Sequence, residues 1–295
     1  MQLPIPSLEK QKEIVAEYNT IVNRIKLNEQ LNRKLEETAQ AIYKQWFVDF
    51  EFPMSKAHAA EIGKPELEGK PYKSSGGKMV WNDELDQEIP DGWQNGTLRK
   101  LVKVHNGFAF KSSDFQEFGE YPIVKIKNVT PPSTTICDAQ FYNSKLDSKL
   151  RKYEVTAGDI LISMTGSHMS QINSAVGKVG RYNHKKTALL NQRVGNLKPV
   201  NDMPCKEYIY RYITKKETHM LLLFGSTGSA NQANISPEQI ESLPLLIPTS
   251  DYIKKYEITI STFTRRTIIN EHLNESLSEL NETLLSKMTK AEATA

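Results

Sequence analysis

Cysteine is nearly missing from this chain. Cys137 and Cys205 are the only two in 295 residues, too few for a disulfide scaffold or a cysteine-based zinc site. No apolar run approaches the roughly 20 residues that a membrane helix needs. The opening "MQLPIPSLEK" lacks the basic-then-apolar layout of a signal peptide. These absences predict a cytoplasmic protein with no membrane association. The six histidines are scattered, with no His-X-X-X-His pair, so no metal site is expected.

Catalytic motifs are missing as well. There is no GxxxxGK[ST], and "SSGGK" (74–78) and "GKVGR" (177–181) have the wrong spacing to cradle a phosphate. "PELEGK" (65–70) holds an acid-X-Lys arrangement of the kind nucleases use, but it falls in a loop-like stretch. In "TPPS" (130–133), Thr130 and Ser133 replace the amide or acid and the aromatic required by the Asn/Asp-Pro-Pro-aromatic loop of amino-methyltransferases. No nucleophile motif frames a serine. The expectation is a protein without catalytic residues.

What the chain does have is an uneven charge. Residues 1–90 carry 12 basic and 15 acidic side chains, and residues 249–295 carry 6 and 7. The middle, 91–248, carries 20 and 13, a net +7. Within it, residues 161–220 hold 10 basic and 3 acidic residues, which accounts for the whole excess. A basic middle between near-neutral ends suits a polyanion-binding module on a scaffold.

The ends themselves form a repeat. Residues 9–47 contain no Gly or Pro and place Ile14, Tyr18, Ile21, Ile25, Leu31, Leu35 and Ile42 at steps of mostly three and four, the period of an amphipathic helix. About 39 residues would make a rod of roughly 58 Å, a length that suits a coiled-coil arm. Residues 251–289 say nearly the same thing after a shift of 242: Arg24 meets Arg266, Asn28 meets Asn270, Glu29 meets Glu271, Leu31 meets Leu273, Asn32 meets Asn274 and Leu35 meets Leu277. Both copies enter through Ile-Pro, at 5–6 and 247–248. The predicted seam is Ile21, Ile25, Asn28, Leu31, Leu35 and Ile42 on the first helix, with Phe263, Asn270, Leu273, Leu277, Leu280 and Leu284 on the second. A polar residue buried in such a seam fixes register at some cost in stability, which makes Asn28 and Asn270 candidates for register control. The alternative is that both lie just outside the seam, exposed.

Between the helices, "QWFVDFEFP" (45–53) forms an aromatic plug, with Pro53 expected to stop the first helix. Residues 54–90, rich in Lys, Glu, Gly and Pro, read as a mobile loop. From "IPDGWQ" (89–94) onward the segments are short and β-like: "YPIVKIKNV", "GDILISM", "SAVGKVGRY" and "QRVGNLKPV". "CKEYIYRYITKKETHMLLLF" (205–224) and "SPEQIESL" (236–243) read as helices. The partition is therefore 1–50 first long helix, 51–90 linker, 91–248 mixed domain and 249–295 second long helix, an α+β chain.

The middle domain offers polar turns: Lys111, Ser112 and Ser113; Lys125, Lys127 and Asn128; Ser163, Thr165 and Ser167; Lys178 and Arg181; Asn191, Gln192 and Arg193; Thr227, Ser229, Asn231 and Gln232. Amides and guanidinium groups pair two-pronged with base edges, while Lys, Ser and Gly backbone suit phosphate oxygens. Any one of these is ordinary turn chemistry; several in a basic domain point to DNA.

The order of these features resembles the specificity (S) subunit of type I restriction–modification systems. It runs proline-tipped entry, long helix, "QWFVDFEFP", loop, "IPDGW", "GFAFKSSDF", "GDILISMTGS", "NQRVG", "GSTGSANQANIS", proline-tipped long helix, and it covers essentially the whole chain. The resemblance implies a target recognition domain that reads one half of a bipartite DNA sequence. It also implies helices that pair as an antiparallel coiled coil and hold adenine-N6 methyltransferase (M) subunits, with a restriction (R) subunit joining. S-adenosylmethionine would belong to the M partner, so this chain would carry no cofactor. The family pattern is domain–helix–domain–helix, whereas this chain reads helix–domain–helix, the second half of such a subunit plus a stub. It would be a natural half-length form, a truncated product or an engineered piece. Two such chains are expected to self-associate through their helices and read two inverted half-sites. The competing expectation is a coiled-coil adaptor whose middle domain binds protein.

Overall fold

The computed structural model describes residues 7–167, 174–229 and 232–291. Helix α1 (Leu8–Phe47) begins at Ser7, whose hydroxyl accepts the Lys10 amide N–H at 3.3 Å, one of the donors a helix N-terminus leaves unsatisfied. It ends well before Pro53, which corrects the expected stop. The Val48 and Asp49 amides return to the Lys44 carbonyl, and Phe50 adopts a left-handed φ of 61°. The cause is packing: Trp46, Phe47, Phe50 and Phe52 are all buried, and the chain leaves the helix direction to bury them.

The stretch 51–90 is not a free loop. Phe52 stacks on Tyr72 and on Trp93, with ring centroids 4.5 and 5.1 Å apart. Met54 donates to the Lys70 carbonyl at 2.8 Å. Short helix α2 (Lys56–Glu61) is capped by Ser55, and Met79–Asn82 pairs antiparallel with Gln87–Pro90. Lys, Gly and Pro dominate the composition, but Phe52, Met54, Ala59 and Tyr72 are enough apolar anchors to hold it down. Each large apolar side chain so buried contributes on the order of 1.5–3 kcal/mol.

The middle domain is built on a six-stranded sheet in the order Val102–Asn106, Val194–Pro199, Asp159–Ser163, Val179–Tyr182, Ser133–Thr134, Val129–Thr130. The Asp159–Ser163 strand is buried on both faces, as its apolar run demands. A second sheet orders Gln140–Tyr142, Tyr121–Val124, Ala188–Leu190 and Glu154–Val155. Helix α3 (Ser148–Arg151) is a single turn. The one helix expected over 205–224 is two, α4 (Lys206–Ile213) and α5 (Lys216–Phe224). The break comes where Thr214 turns its hydroxyl onto the Tyr210 carbonyl at 2.8 Å and Lys215 goes extended. Helix α6 (Pro237–Glu241) opens with a reciprocal Ser236–Gln239 capping box.

Helix α7 (Ser250–Ala291) lies beside α1 with the chain directions opposed. Asn28 Nδ2 donates to Asn274 Oδ1 and Asn270 Nδ2 donates to Asn32 Oδ1, both at 2.7 Å. Further along, the Tyr256 hydroxyl lies 3.5 Å from the Ala39 carbonyl oxygen. The 242-residue shift turns the first bond into the second, so the repeat builds a local two-fold. Asn28 is 2% exposed and Asn270 0%, so both sit inside the seam. Leu31, Leu273 and Leu280 do not: they are 37%, 41% and 48% exposed. The seam passes instead through Ile21, Ile25, Asn28, Asn32, Leu35 and Ile42, and through Phe263, Thr267, Asn270, Asn274, Leu277 and Leu284, each buried or half-buried. A residue one place off such a path is turned about 100° away from it, so Asn32 and Asn274 take the places expected for Leu31 and Leu273.

The domain is fixed to the helix pair through polar contacts. Arg211 forms a two-pronged ion pair with Glu36 on α1. Behind this contact, within the domain, Arg181 pairs two-pronged with Glu207, at 2.9 and 3.1 Å, and lies over the Tyr210 ring. On α7, Glu257 accepts the Glu207 and Tyr208 amides at the start of α4, and Glu271 accepts from Asn183 and Ser133, each at 3.1 Å. His184 faces Glu275 at 2.6 Å and the Thr134 carbonyl at 2.8 Å. Burial, reinforced by Glu207, pushes the Glu257 carboxyl up to about 7; burial raises Glu271 as well. A cleft of about 490 Å³ remains between domain and helices, lined in part by Glu29, Arg33, Glu36 and Asn183.

Candidate nucleic-acid interface

The six-stranded sheet has two unlike ends. At one, Asn183, His184 and Ser133 meet α7. At the other, the strands deliver their turns to a common rim, roughly 15 Å away at 3.3 Å per residue. Backbone bonds tie the rim together. Ser163 N donates to the Lys178 carbonyl, Met164 N to Arg193, Gln192 N to Phe108, Asn191 N to Val124 and Ile235 N to Met164, all at 2.9–3.0 Å. Turns far apart in sequence, 106–113, 124–128, 163–167, 174–178, 191–193, 225–229 and 232–235, thus become neighbours. Gly107 permits one of these close approaches, since a Cβ there would lie 2.3 Å from the Asn191 carbonyl oxygen.

Two of these turns form one small sheet. Thr165–Gly166 pairs with Gln232–Asn234, which pairs with Thr227–Ser229. Side chains alternate across a strand, so Thr165, Thr227, Gln232 and Asn234 share one face while Ala233 points to the core. Thr165 donates to Asn234 Oδ1 at 3.0 Å. Glycine is needed at 228, where φ is 153° and a Cβ would fall 1.8 Å from the Gln232 carbonyl oxygen.

Of the expected contact residues, Lys111, Ser112, Ser113, Lys127, Gln192, Arg193, Thr227 and Gln232 are exposed on or beside this rim, and Lys125, Ser167, Lys178 and Asn191 are half-buried there. Ser229 lies in the outer strand. Asn231 falls outside the described residues. Four expectations are corrected. Arg181 is buried at the far side of the sheet in its ion pair with Glu207. Ser163 is fully buried beside the Ile126 carbonyl. Asn128 is buried because its Oδ1 caps the Lys125 amide, and Thr165 is buried under its bond to Asn234. Each of these side chains is turned to an internal partner, although Asn128 Nδ2 is buried without one.

Lys111, Lys125, Lys127, Lys178 and Arg193 make the rim basic. Burial, and then the neighbouring Lys127, lowers Lys125, whose ammonium lies 3.5 Å from the Phe115 ring centroid. Among the described residues no group of three or more His, Cys, Asp or Glu gathers as a metal site, and no helix is long and apolar enough to cross a membrane. Sequence reasoning missed the exposed side chains of α5, Met220, Leu221 and Phe224. They sit in an apolar run that reads as core, and nothing in the sequence distinguishes them from buried Leu222.

Residues 90–279 match the family described as Type I restriction modification DNA specificity domain. The type I restriction enzyme MjaIX specificity subunit of Methanocaldococcus jannaschii is 23% identical over 296 residues, covering 99% of this chain and 60% of that protein. The HindI specificity subunit of Haemophilus influenzae is 22% identical, covering 99% and 69%. The solved S subunit of a type I restriction–modification system from M. genitalium shares the fold, with a TM-score of 0.54 at 15% identity over 95% of this chain and 61% of that one. The chain thus spans about three-fifths of the length of the M. jannaschii and M. genitalium proteins.

Proposed function

The chain belongs to the type I restriction–modification DNA specificity family, and from that premise we propose that it is a non-catalytic, cytoplasmic DNA reader that recognises one half-site of a bipartite target. One observation carries this reading: polar and basic turns scattered over more than 100 residues converge on a single rim, at the end of the sheet away from the helices. Lys111, Lys127, Lys178 and Arg193 would meet phosphates and base edges, with Gln192 and Gln232 reading bases.

The helix pair is an antiparallel coiled coil that serves as scaffold. Its seam residues step mostly by three and four, and its asparagine bonds repeat about a local two-fold. On the side of the seam away from the domain it exposes Leu27 and Leu31 on α1, and their repeats Ile269 and Leu273 on α7. Such two-fold-related apolar pairs suit two copies of a methyltransferase (M) subunit, which would bring S-adenosylmethionine, with the restriction (R) subunit joining that assembly. Self-association supplies the second reader. Val15 and Tyr18 on α1 are exposed, whereas the repeat of Tyr18, Ile260, is buried where α7 meets the domain. A second domain related by the local two-fold would lie beside Val15 and Tyr18, and their exposure supports this reading.

The test is reconstitution with the M subunit, followed by mapping of methylated adenines and binding to the mapped duplex across salt concentrations. Expected are a two-part inverted motif, a log–log salt slope of about −0.9 per phosphate contact, and a mass holding two copies of this chain. Arg193→Ala should relax specificity at one position at a cost of roughly 1–3 kcal/mol, while Lys178→Ala weakens all sequences alike. Salt-insensitive association, or equal effects of every rim substitution on cognate and random DNA, would instead favour a protein-binding adaptor.

A further inference from the structure

Helix α5 carries an apolar stripe that the fold leaves in solvent. Phe224, its last residue, is 72% exposed, and Met220 one turn earlier and Leu221 are also exposed, while Leu222 between them is buried in the core. The helix lies against the rim: His219 Nε2 is 3.1 Å from the Val176 carbonyl oxygen, and a Cβ on Gly177 would come within 2.8 Å of the His219 ring. Directly after Phe224 the chain turns at Gly225, with Ser226 Oγ donating to the Leu223 carbonyl at 2.7 Å. It then enters the hairpin formed by Thr227–Ser229 and Gln232–Asn234. An exposed phenylalanine therefore stands at the foot of a β-ribbon whose exposed face carries Thr227 and Gln232.

A two-stranded ribbon fits the major groove of B-form DNA, and there an amide reads adenine two-pronged while an apolar side chain meets the 5-methyl group of thymine. From Thr218 to Pro237 the chain holds no Asp, Glu, Lys or Arg, so nothing on the stripe or the ribbon repels a polyanion. A protein partner would also cover an apolar stripe. The continuity of this one with the amide-bearing hairpin and with the basic rim favours DNA. We propose that the strand pair Thr227–Ser229 and Gln232–Asn234 enters the major groove and that Phe224 is a specificity-determining residue packing on a thymine methyl group, with Gln232 on an adenine of the same A·T-containing stretch. This rests on the DNA-reading function proposed above.

The experiment uses the full chain assembled with its methyltransferase partner and the duplex defined by methylation mapping, with each thymine replaced in turn by uracil, which lacks only the methyl group. The wild-type complex should lose about fourfold in affinity at one thymine, the worth of one buried methyl. Phe224→Ala should bind the thymine duplex about as weakly as wild type binds the uracil one, and should lose nothing further on uracil. Phe224→Leu, which keeps an apolar contact, should retain most of the discrimination. The proposal is overturned if Phe224→Ala weakens thymine and uracil duplexes equally, or if it impairs assembly with the methyltransferase while assembled complexes bind DNA normally. A wild-type complex that binds DNA without sequence preference overturns the DNA-reading function itself, and this proposal with it.

Discussion

Helices α1 and α7 are two copies of one pattern with opposite fates at corresponding places. Around the asparagines they are equivalent: Asn28 bonds Asn274 as Asn270 bonds Asn32. Away from that centre the equivalence ends. Ile260 of α7 is buried, whereas its repeat, Tyr18 of α1, is exposed, as is Val15 one turn before it. A repeated sequence makes equivalent surfaces, but burial depends on what each surface meets. The apolar character of Tyr18 and Val15 is a capacity for contact that this chain does not use on itself.

The comparison can be broken at its covered end. Arg181→Ala should cost about 3–5 kcal/mol in denaturant unfolding, because it leaves Glu207 buried without its cation; an unchanged midpoint would mean that this pair behind the joint is solvated. Ile260→Ala should cost about 3 kcal/mol, while Tyr18→Ala should change the stability of the single chain by no more than about 0.5 kcal/mol. A large loss from Tyr18→Ala that grows with protein concentration would instead report self-association at that end.

The same joint predicts a pH dependence. The Glu257 carboxyl, raised by burial to about 7, holds its proton in the fold after the unfolded chain has released it. Its contribution to stability is therefore full below the unfolded value of 4.5 and is lost as the pH rises toward 7. Glu257→Gln keeps an oxygen for the Glu207 and Tyr208 amides, so it should be more stable than wild type at pH 8 by ~2–3 kcal/mol. That advantage should vanish near pH 4.5; thermal unfolding at both pH values checks it. The smallest effect sharpens the centre: Asn28→Ala and Asn270→Ala should each cost ~1 kcal/mol and, being related by the local two-fold, by similar amounts. Unequal costs would show that the domain reaches into the seam.

Much of the fold was legible because long helices and short strands have clear periods. The register of the helix pair was less so. Steps of three and four can be drawn through Leu31 and Leu273 or through Asn32 and Asn274, and hydrophobicity alone prefers the leucines. The polar choice wins because each buried asparagine amide donates to an asparagine across the helices, a partnership invisible along either helix by itself. Residues 51–90 were misread for a related reason: composition averages over the four apolar anchors that hold the segment down.

The rim shows the same divide. The turns were identifiable residue by residue, yet Arg181, Ser163, Asn128 and Thr165 are spent on internal partners, and exposed Phe224 looked like core. The sequence alone determined the two long helices, their duplication, the basic domain between them and the family that this order marks. All of these are local or patterned properties that the chain carries wherever it goes. Only the tertiary structure decided which asparagine faces which, which end of the helix pair is covered, and which polar turns share one rim, because each depends on contacts between residues as much as 246 positions apart.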